Sequence, residues 1–265
     1  MMSPGSGISL DPWFDNYADR AEGLSASEVR ALFAVASRPE VVSLAGGMPF
    51  VAALPFDKVR SSVDRVLSEA GATALQYGSG QGLPALRERI LEIMALEGIR
   101  AGVDEVVVTT GSQQGLDLIA KLFINPGDAI LAESPSYVGA MGVFRSYQAR
   151  VEHVAMDQHG MVPEALVERI EALSAASVSM KFLYLIPNFH NPAGVTLSAQ
   201  RRLEILDIAK AHNILVVEDN PYGLLWFDTP PPQAIRSVDD SGVIYLGSFS
   251  KTFAPGLRVG WVVAP

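Results

Sequence analysis

The sequence predicts an α/β protein: a three-layer α/β/α large domain around a mostly parallel seven-strand sheet with one antiparallel strand, preceded by an N-terminal arm. Three observations carry this expectation. From residue 105 onward, short apolar runs rich in β-branched residues recur seven times. Helical patterns separate most of them, and near-continuous apolar strands with helical crossovers imply a parallel sheet covered on both faces. The last two runs, "GVIYLGS" and "RVGWVVA", are joined by only about nine residues. That is too short for a helical crossover, so this pair is expected to be antiparallel or linked by an irregular loop.

The elements follow in order. Residues 1–24 are rich in Gly, Ser and Pro and read as an arm, with "DPWF" as an anchoring point. An Ala-rich helix is expected from Ser25 to Ser37, stopped by Pro39. "VVSLAGGMPF" reads as an extended segment closing in a Gly-Gly turn. Helical patterns over Asp57–Ala70 and Leu83–Glu97 flank "QYGSGQG", a glycine loop around Tyr77. The strand runs are "EVVVTT", "AILAES", "RVEHVAM", "KFLYLIP", "ILVVED" and the final two. Helices are expected between them over Gln113–Phe123, Val138–Tyr147, Pro163–Ala176 and Ser198–His212. The domain expectation is an arm and helix over 1–52 and one large domain over 53–265.

Composition narrows the function classes. With 49% hydrophobic and 18% charged residues, the 265-residue chain suits a well-buried sheet. A net charge of −9 argues against nucleic-acid and anionic-membrane partners, which call for clustered Lys and Arg. No run of 18 apolar residues is long enough to span a membrane. The N-terminus lacks the basic and apolar regions of a signal peptide. Without cysteine there is neither a disulfide frame nor thiolate chemistry. A cytoplasmic setting is the default expectation.

In an open α/β sheet, ligands bind where strands end and helices begin. After "EVVVTT", Gly111-Ser112-Gln113 opens a helix, whose free N–H groups and dipole attract an anion; Ser112 also fits a plain N-cap. Tyr137 follows "ILAES" and suits stacking on a planar ring, or an ordinary half-buried tyrosine. Asn191 precedes Pro192 in a loop that turn chemistry alone explains. Asp219 and Tyr222 follow a buried strand, where a carboxylate needs a cation or hydrogen bonds to stay charged. Lys251 lies in a Gly/Ser loop between apolar strands. Such a lysine is usually solvated; pressed into the mouth of a sheet, it loses hydration and becomes nucleophilic. Each signal is weak alone, but the set at successive strand ends is specific.

Other chemistries fit less well. Ser248-Phe-Ser-Lys251 has the Ser-x-x-Lys spacing of penicillin-recognising enzymes, but it follows a strand and lacks the companion motifs. "GSGQG" at 78–82 follows no strand, so it fails as a dinucleotide fingerprint. There is no phosphate-binding Gly-x4-Gly-Lys loop. His153, His159, His190 and His212 lack metal-ligand spacing and read as core or surface residues.

The motifs "YGSGQGLPALRERI", "TTGSQQGLDLIAKLF", "PSYVGA", "PNFHNPAGVTLS", "VEDNPYG" and "GSFSKTFAPGLRVGWVVAP" together resemble the fold type I, pyridoxal-phosphate-dependent class I/II aminotransferases. "SEVRALF" and "RPEVVSLAGGMP" are most similar to the aminoadipate/kynurenine-type branch. The resemblance spans roughly residues 25–265. It implies that Lys251 links covalently to the cofactor aldehyde and then moves the substrate's α-proton. It implies that Asp219 holds the pyridine nitrogen protonated, that Tyr222 and Asn191 hold the ring's phenolic oxygen, and that Tyr137 stacks on the ring. Ser112, Gln113, Ser248, Ser250 and Arg258 would cradle the phosphate, with Tyr77 reaching the phosphate of a second subunit in a homodimer. Gly46, Gly47 and Asn191 would lie at the substrate, and Arg30 is a candidate for side-chain selection.

The family's small C-terminal domain, which clamps the substrate carboxylate, has no counterpart before Pro265, so a fragment of a longer protein is expected. The implied reaction moves an α-amino group from an aminoadipate-like, aromatic or branched-chain amino acid to a 2-oxo acid, 2-oxoglutarate foremost, in two half-reactions. The alternatives are a non-catalytic cofactor- and effector-sensing domain, as in regulator fusions of this fold, and another fold type I enzyme such as a β-lyase.

Overall fold

The computed structural model describes residues 12–21, 38, 40–42 and 47–265. The expected helix over Ser25–Ser37, and with it Arg30, lies outside the described residues, as does Gly46. Among the described residues, six α-helices surround one sheet: α1 (Phe56–Ala74), α2 (Pro84–Ala95), α3 (Ser112–Phe123), α4 (Val138–Ser146), α5 (Pro163–Ala175) and α6 (Ala199–Ala211). The strands are β1 (Val106–Thr109), β2 (Ala129–Ser134), β3 (Arg150–Asp157), β4 (Gly160–Met161), β5 (Met180–Leu185), β6 (Leu215–Asp219), β7 (Val243–Ser248) and β8 (Gly260–Val263).

Their order is β1-β8-β7-β6-β5-β2-β3-β4. The sheet therefore has eight strands rather than seven. The addition is β4, two residues that fold back on β3 around the turn at Gly160, too short to leave a period in the sequence. The short β7–β8 connection does reverse the chain. Because β8 lies between β1 and β7, its reversal makes two antiparallel pairs, and β3–β4 makes a third. The β2–β3, β2–β5, β5–β6 and β6–β7 pairs are parallel.

Both sheet faces are buried, as the apolar strands require. On one face α3 and α4 cover Ile130, Phe182, Tyr184, Val217 and Leu246. On the other, α5 and α6 cover Leu131, Leu183, Leu185 and Val216, while α2 packs Ile90 and Met94 against Tyr245 and Trp261. Phe144 from α4 meets the rings of Phe182 and Tyr184 edge-on, each at 5.4 Å, a favoured aromatic geometry that locks Tyr184 in place. Helix α1 differs from the rest: none of its residues is buried, and Val63, Val66 and Leu67 form an uncovered apolar stripe.

Candidate active site

Because β1 runs parallel to β7 across the reversed β8, the ends of β1, β2, β5, β6 and β7 and the start of β8 share one edge of the sheet. Thr109 and Ser248 both pair with Gly260, which brings the loops after β1 and β7 to one level. Every described candidate except Tyr77 comes from a loop or strand end at this edge or, for Gly47, from the arm lying on it.

The anion end forms around α3. Gly111, at φ +77°, is its N-cap, so Ser112 is the first helical residue and not the cap. A side chain at Gly111 would run into the Arg258 guanidinium, and a Cβ on Gly260 would lie 2.6 Å from Gly111 C and Ser112 N. Glycine at both positions lets the helix start, β8 and Arg258 close on one another. The N–H groups of Ser112 and Gln113 belong to the first turn, where helices leave donors free. Arg258 adopts the left-handed region at φ +53° and donates to the carbonyls of Pro255 (3.2 Å) and Thr110 (3.4 Å). The Gln113 side chain is engaged elsewhere, donating to the Gly139 carbonyl at 3.1 Å. The buried Ser248 hydroxyl donates to Ser250 Oγ at 2.8 Å and accepts the Ser250 N–H at 3.0 Å, which folds the lysine loop.

The ring end forms around Asp219. Its register with Leu246 turns it to the α3/α4 face, where it is 3% exposed. Oδ2 accepts the Tyr184 hydroxyl at 2.7 Å, and Oδ1 is buried without a partner among the described residues. Burial pushes the Asp219 pKa up to about 6, with the Tyr184 bond pulling it down. Burial also raises the Tyr137 and Tyr222 phenols, and the Asp219 charge adds to both. Asn191 Nδ2 donates to Tyr222 Oη at 3.5 Å. Lys251 is half-buried and its amine is shifted downward by lost hydration; Nζ donates to the Gly47 carbonyl at 2.9 Å. Tyr77, by contrast, is 99% exposed on the loop after α1.

Sequence reasoning missed the supports beneath these residues. Tyr184 is one; its only signal was a tyrosine inside an apolar strand, where a hydroxyl needs a partner. His190, read as a core or surface residue, lies with Nε2 3.2 Å from Glu133 Oε2, and both side chains are buried. Glu133 also accepts the Ile186 N–H at 2.7 Å, and His190 Nδ1 accepts the Ala193 N–H at 3.3 Å. Through Ile186, Glu133 ties the end of β2, which leads to Tyr137, to the strand end ahead of the Asn191 loop, while His190 Nε2 lies beside it without a formed hydrogen bond. On the same face of the sheet, opposite Asp219, Glu97 accepts the Asn220 amide at 2.7 Å and the Tyr245 hydroxyl. Asn220 joins Asn188 at 3.0 Å, and Asn188 accepts from Arg202. This belt fixes the turn from Asp219 to Tyr222.

The donor set suits pyridoxal phosphate. The unpartnered, buried Oδ1 of Asp219 is matched to one cationic ring N–H, because a lone buried carboxylate oxygen is costly. The Arg258 fork, the start of α3 and the space secured by Gly111 and Gly260 suit a dianionic phosphate. The half-buried, desolvated amine of Lys251 suits attack on an aldehyde.

Known proteins bear on this arrangement. The family "Aminotransferase class I and II" matches residues 40–265. Aromatic-amino-acid aminotransferase 1 of Thermococcus litoralis is 40% identical over 250 residues, covering 94% of this chain and 60% of that protein. The HTH-type transcriptional regulator YisV of Bacillus subtilis is 32% identical over 254 residues, covering 96% of this chain and 51% of that protein. Among solved structures, the α-aminoadipate aminotransferase LysN of Thermus thermophilus, complexed with N-(5'-phosphopyridoxyl)-L-leucine, superposes with a TM-score of 0.85 at 35% identity. That match covers 96% of this chain and 62% of LysN, so the chain spans about half to three-fifths of these relatives' lengths. By sequence and by fold, the chain belongs to the class I and II aminotransferase family, whose members depend on pyridoxal phosphate.

Proposed function

We propose that the protein of which this chain is the arm (1–52) and large domain (53–265) transfers an α-amino group from an amino acid to a 2-oxo acid, 2-oxoglutarate foremost. The observation that carries this reading is the buried, unpartnered Oδ1 of Asp219 at the same sheet edge as Lys251 and Arg258. When bound, pyridoxal phosphate supplies a ring that withdraws electrons from the substrate's α-carbon. Asp219 holds a proton on the ring nitrogen and so keeps that ring positive. Tyr222 and Asn191 hold the phenolic oxygen, and Tyr137 covers one ring face. Arg258, Ser250 and the N–H groups of Ser112 and Gln113 bind the phosphate, while Ser248 shapes the loop. Lys251, with its amine free, would take the proton from the substrate's α-carbon and hold it for return on the same side. Gly46, Gly47 and Asn191 border the substrate; the Gly47 carbonyl on Lys251 Nζ supports this for the arm.

A homodimer belongs to the same proposal. The uncovered stripe of α1 and the fully exposed Tyr77 support it, since a solvent-exposed apolar helix gains little from its own propensity. Tyr77 then serves the phosphate of the other subunit.

The test is to add pyridoxal phosphate, reduce with borohydride and map the labelled peptide, then assay the full-length protein for 2-oxoglutarate-dependent product. Label on Lys251 with keto-acid-dependent product is the expected result. Label on another residue overturns the lysine assignment, and release of pyruvate or ammonia without amino transfer points to a lyase. The regulator relative favours a second reading, an effector-sensing domain. Cofactor bound on Lys251 without turnover in the full-length protein, together with salt-sensitive, site-specific DNA binding, would select it.

A further inference from the structure

We propose that Tyr184 is a positioning residue: by donating its phenol proton to Oδ2 of Asp219, it fixes which carboxylate oxygen faces the cofactor and keeps their shared proton on the ring nitrogen. This inference rests on the reading that Asp219 meets that nitrogen.

The geometry is specific. Tyr184 is fully buried, and its hydroxyl lies 2.7 Å from Oδ2. Phe144 meets its ring edge-on at 5.4 Å and is itself backed by Phe182, so the hydroxyl has little freedom to turn away. With Oδ2 occupied, only Oδ1 is left for a ligand. A carboxylate that accepts one strong hydrogen bond is a weaker base toward the next proton. Burial works the other way, making Asp219 retain a proton more readily. Tyr137 ahead of α4 and Tyr222 after β6 face this pair, Arg258 acts on Tyr137, and the charge of Glu133 at the end of β2 acts on Tyr184. The two tyrosines are neutral, and Glu133 is turned toward His190 on the opposite face. Tyr184 is thus the one group among these that donates to Asp219 directly. Without it, the proton shared between Asp219 and the ring nitrogen moves toward the carboxylate, and the ring loses its positive charge.

The experiment compares the parent chain with Tyr184→Phe, each loaded with pyridoxal phosphate carrying nitrogen-15 in the ring and followed by NMR from pH 5 to 9. The expected result is a protonated ring nitrogen in the parent and a signal displaced toward the neutral form in the variant. The proton's distribution between nitrogen and carboxylate should shift by up to about tenfold, the size of one hydrogen bond to a charged group. Identical titrations overturn the proposal while leaving the Asp219 reading intact. A neutral ring nitrogen in the parent across this range, or no cofactor on Lys251, overturns the Asp219 reading and this inference with it. Circular dichroism checks that the variant folds. If it does not, the carbon-13 Cζ signal of Tyr184 is compared between the parent and Asp219→Asn without cofactor. A moved signal supports the proposal, and an unmoved one overturns it.

Discussion

Gly260→Ala is the most discriminating single substitution at the anion end. The new methyl would sit 2.6 Å from Gly111 C and Ser112 N, against an ordinary contact of about 3.4 Å or more. Both are backbone atoms, so no side chain can swing aside. Gly260 also pairs with Thr109 and Ser248, which prevents β8 from retreating alone. Either α3 shifts outward by most of an ångström or the three-strand register breaks. Overpacking of this kind costs about 1–3 kcal/mol, a fall in Tm of about 2–12 °C for a chain of this size. Because the displaced atoms include the Ser112 N–H proposed to bind the phosphate, pyridoxal phosphate affinity should fall as well. The assay is thermal unfolding with a fluorescence titration of the cofactor. Gly256→Ala, with nothing within 4 Å of its new methyl, serves as the control. If Gly260→Ala melts and binds like Gly256→Ala, the close approach of β8 to α3 is not what shapes the anion end.

Asp219→Ala should still take up cofactor on Lys251 but exchange the substrate's α-proton about 100-fold more slowly or worse, read by deuterium exchange in the full-length protein. Arg202→Leu removes the donor to the carbonyls of Leu197 (3.1 Å), Gln233 (2.9 Å) and Pro187 (3.2 Å), and to Asn188. Equilibrium unfolding in guanidinium should show a loss of about 3–5 kcal/mol, because buried acceptors lose their charged donor and Glu97 and Glu218 lose a nearby positive charge. Burial raises Glu218 to about 7 and Asp219 to about 6, and it lifts Glu97 in the same direction. The unfolded chain releases these protons nearer pH 4, so stability falls as pH rises from about 4 to 7 and then levels. For the cofactor-free chain, the urea midpoint should be lower at pH 7.5 than at pH 5.

Much of this was legible because the sheet is buried on both faces. Apolar runs such as "AILAES" and "ILVVED" suit such buried strands, and their polar closing pairs, Glu133-Ser134 and Glu218-Asp219, mark the edge where ligands bind. Spacing pointed to a reversal of β8 or an irregular loop before it, since about nine residues are too few for a helical crossover. It did not reveal that β8 inserts between β1 and β7, because strand order depends on packing between distant segments. The β4 turn was too short to read. At Ser112, the N-cap reading failed because Gly111 supplies the left-handed turn itself. Tyr184 and the Glu133–His190 pair went unread for a common reason: a buried polar group shows its purpose only through its partner, and both partners come from other strands or loops.

The placement of β8 also sets a timetable for folding. Among the described residues, β1 hydrogen-bonds to the sheet only through β8. Val106 must therefore wait for Val263, and an emerging chain carries β1 without a strand partner until β8 arrives. Closing so long a loop is entropically slow, and contacts this distant in sequence retard folding. The parallel strands from β2 to β7 are complete earlier and offer the bare edge of β7 as a template, which β8 must claim before another chain does. The segment that brings Arg258 to the anion end is thus also the one that seals the nascent protein against aggregation.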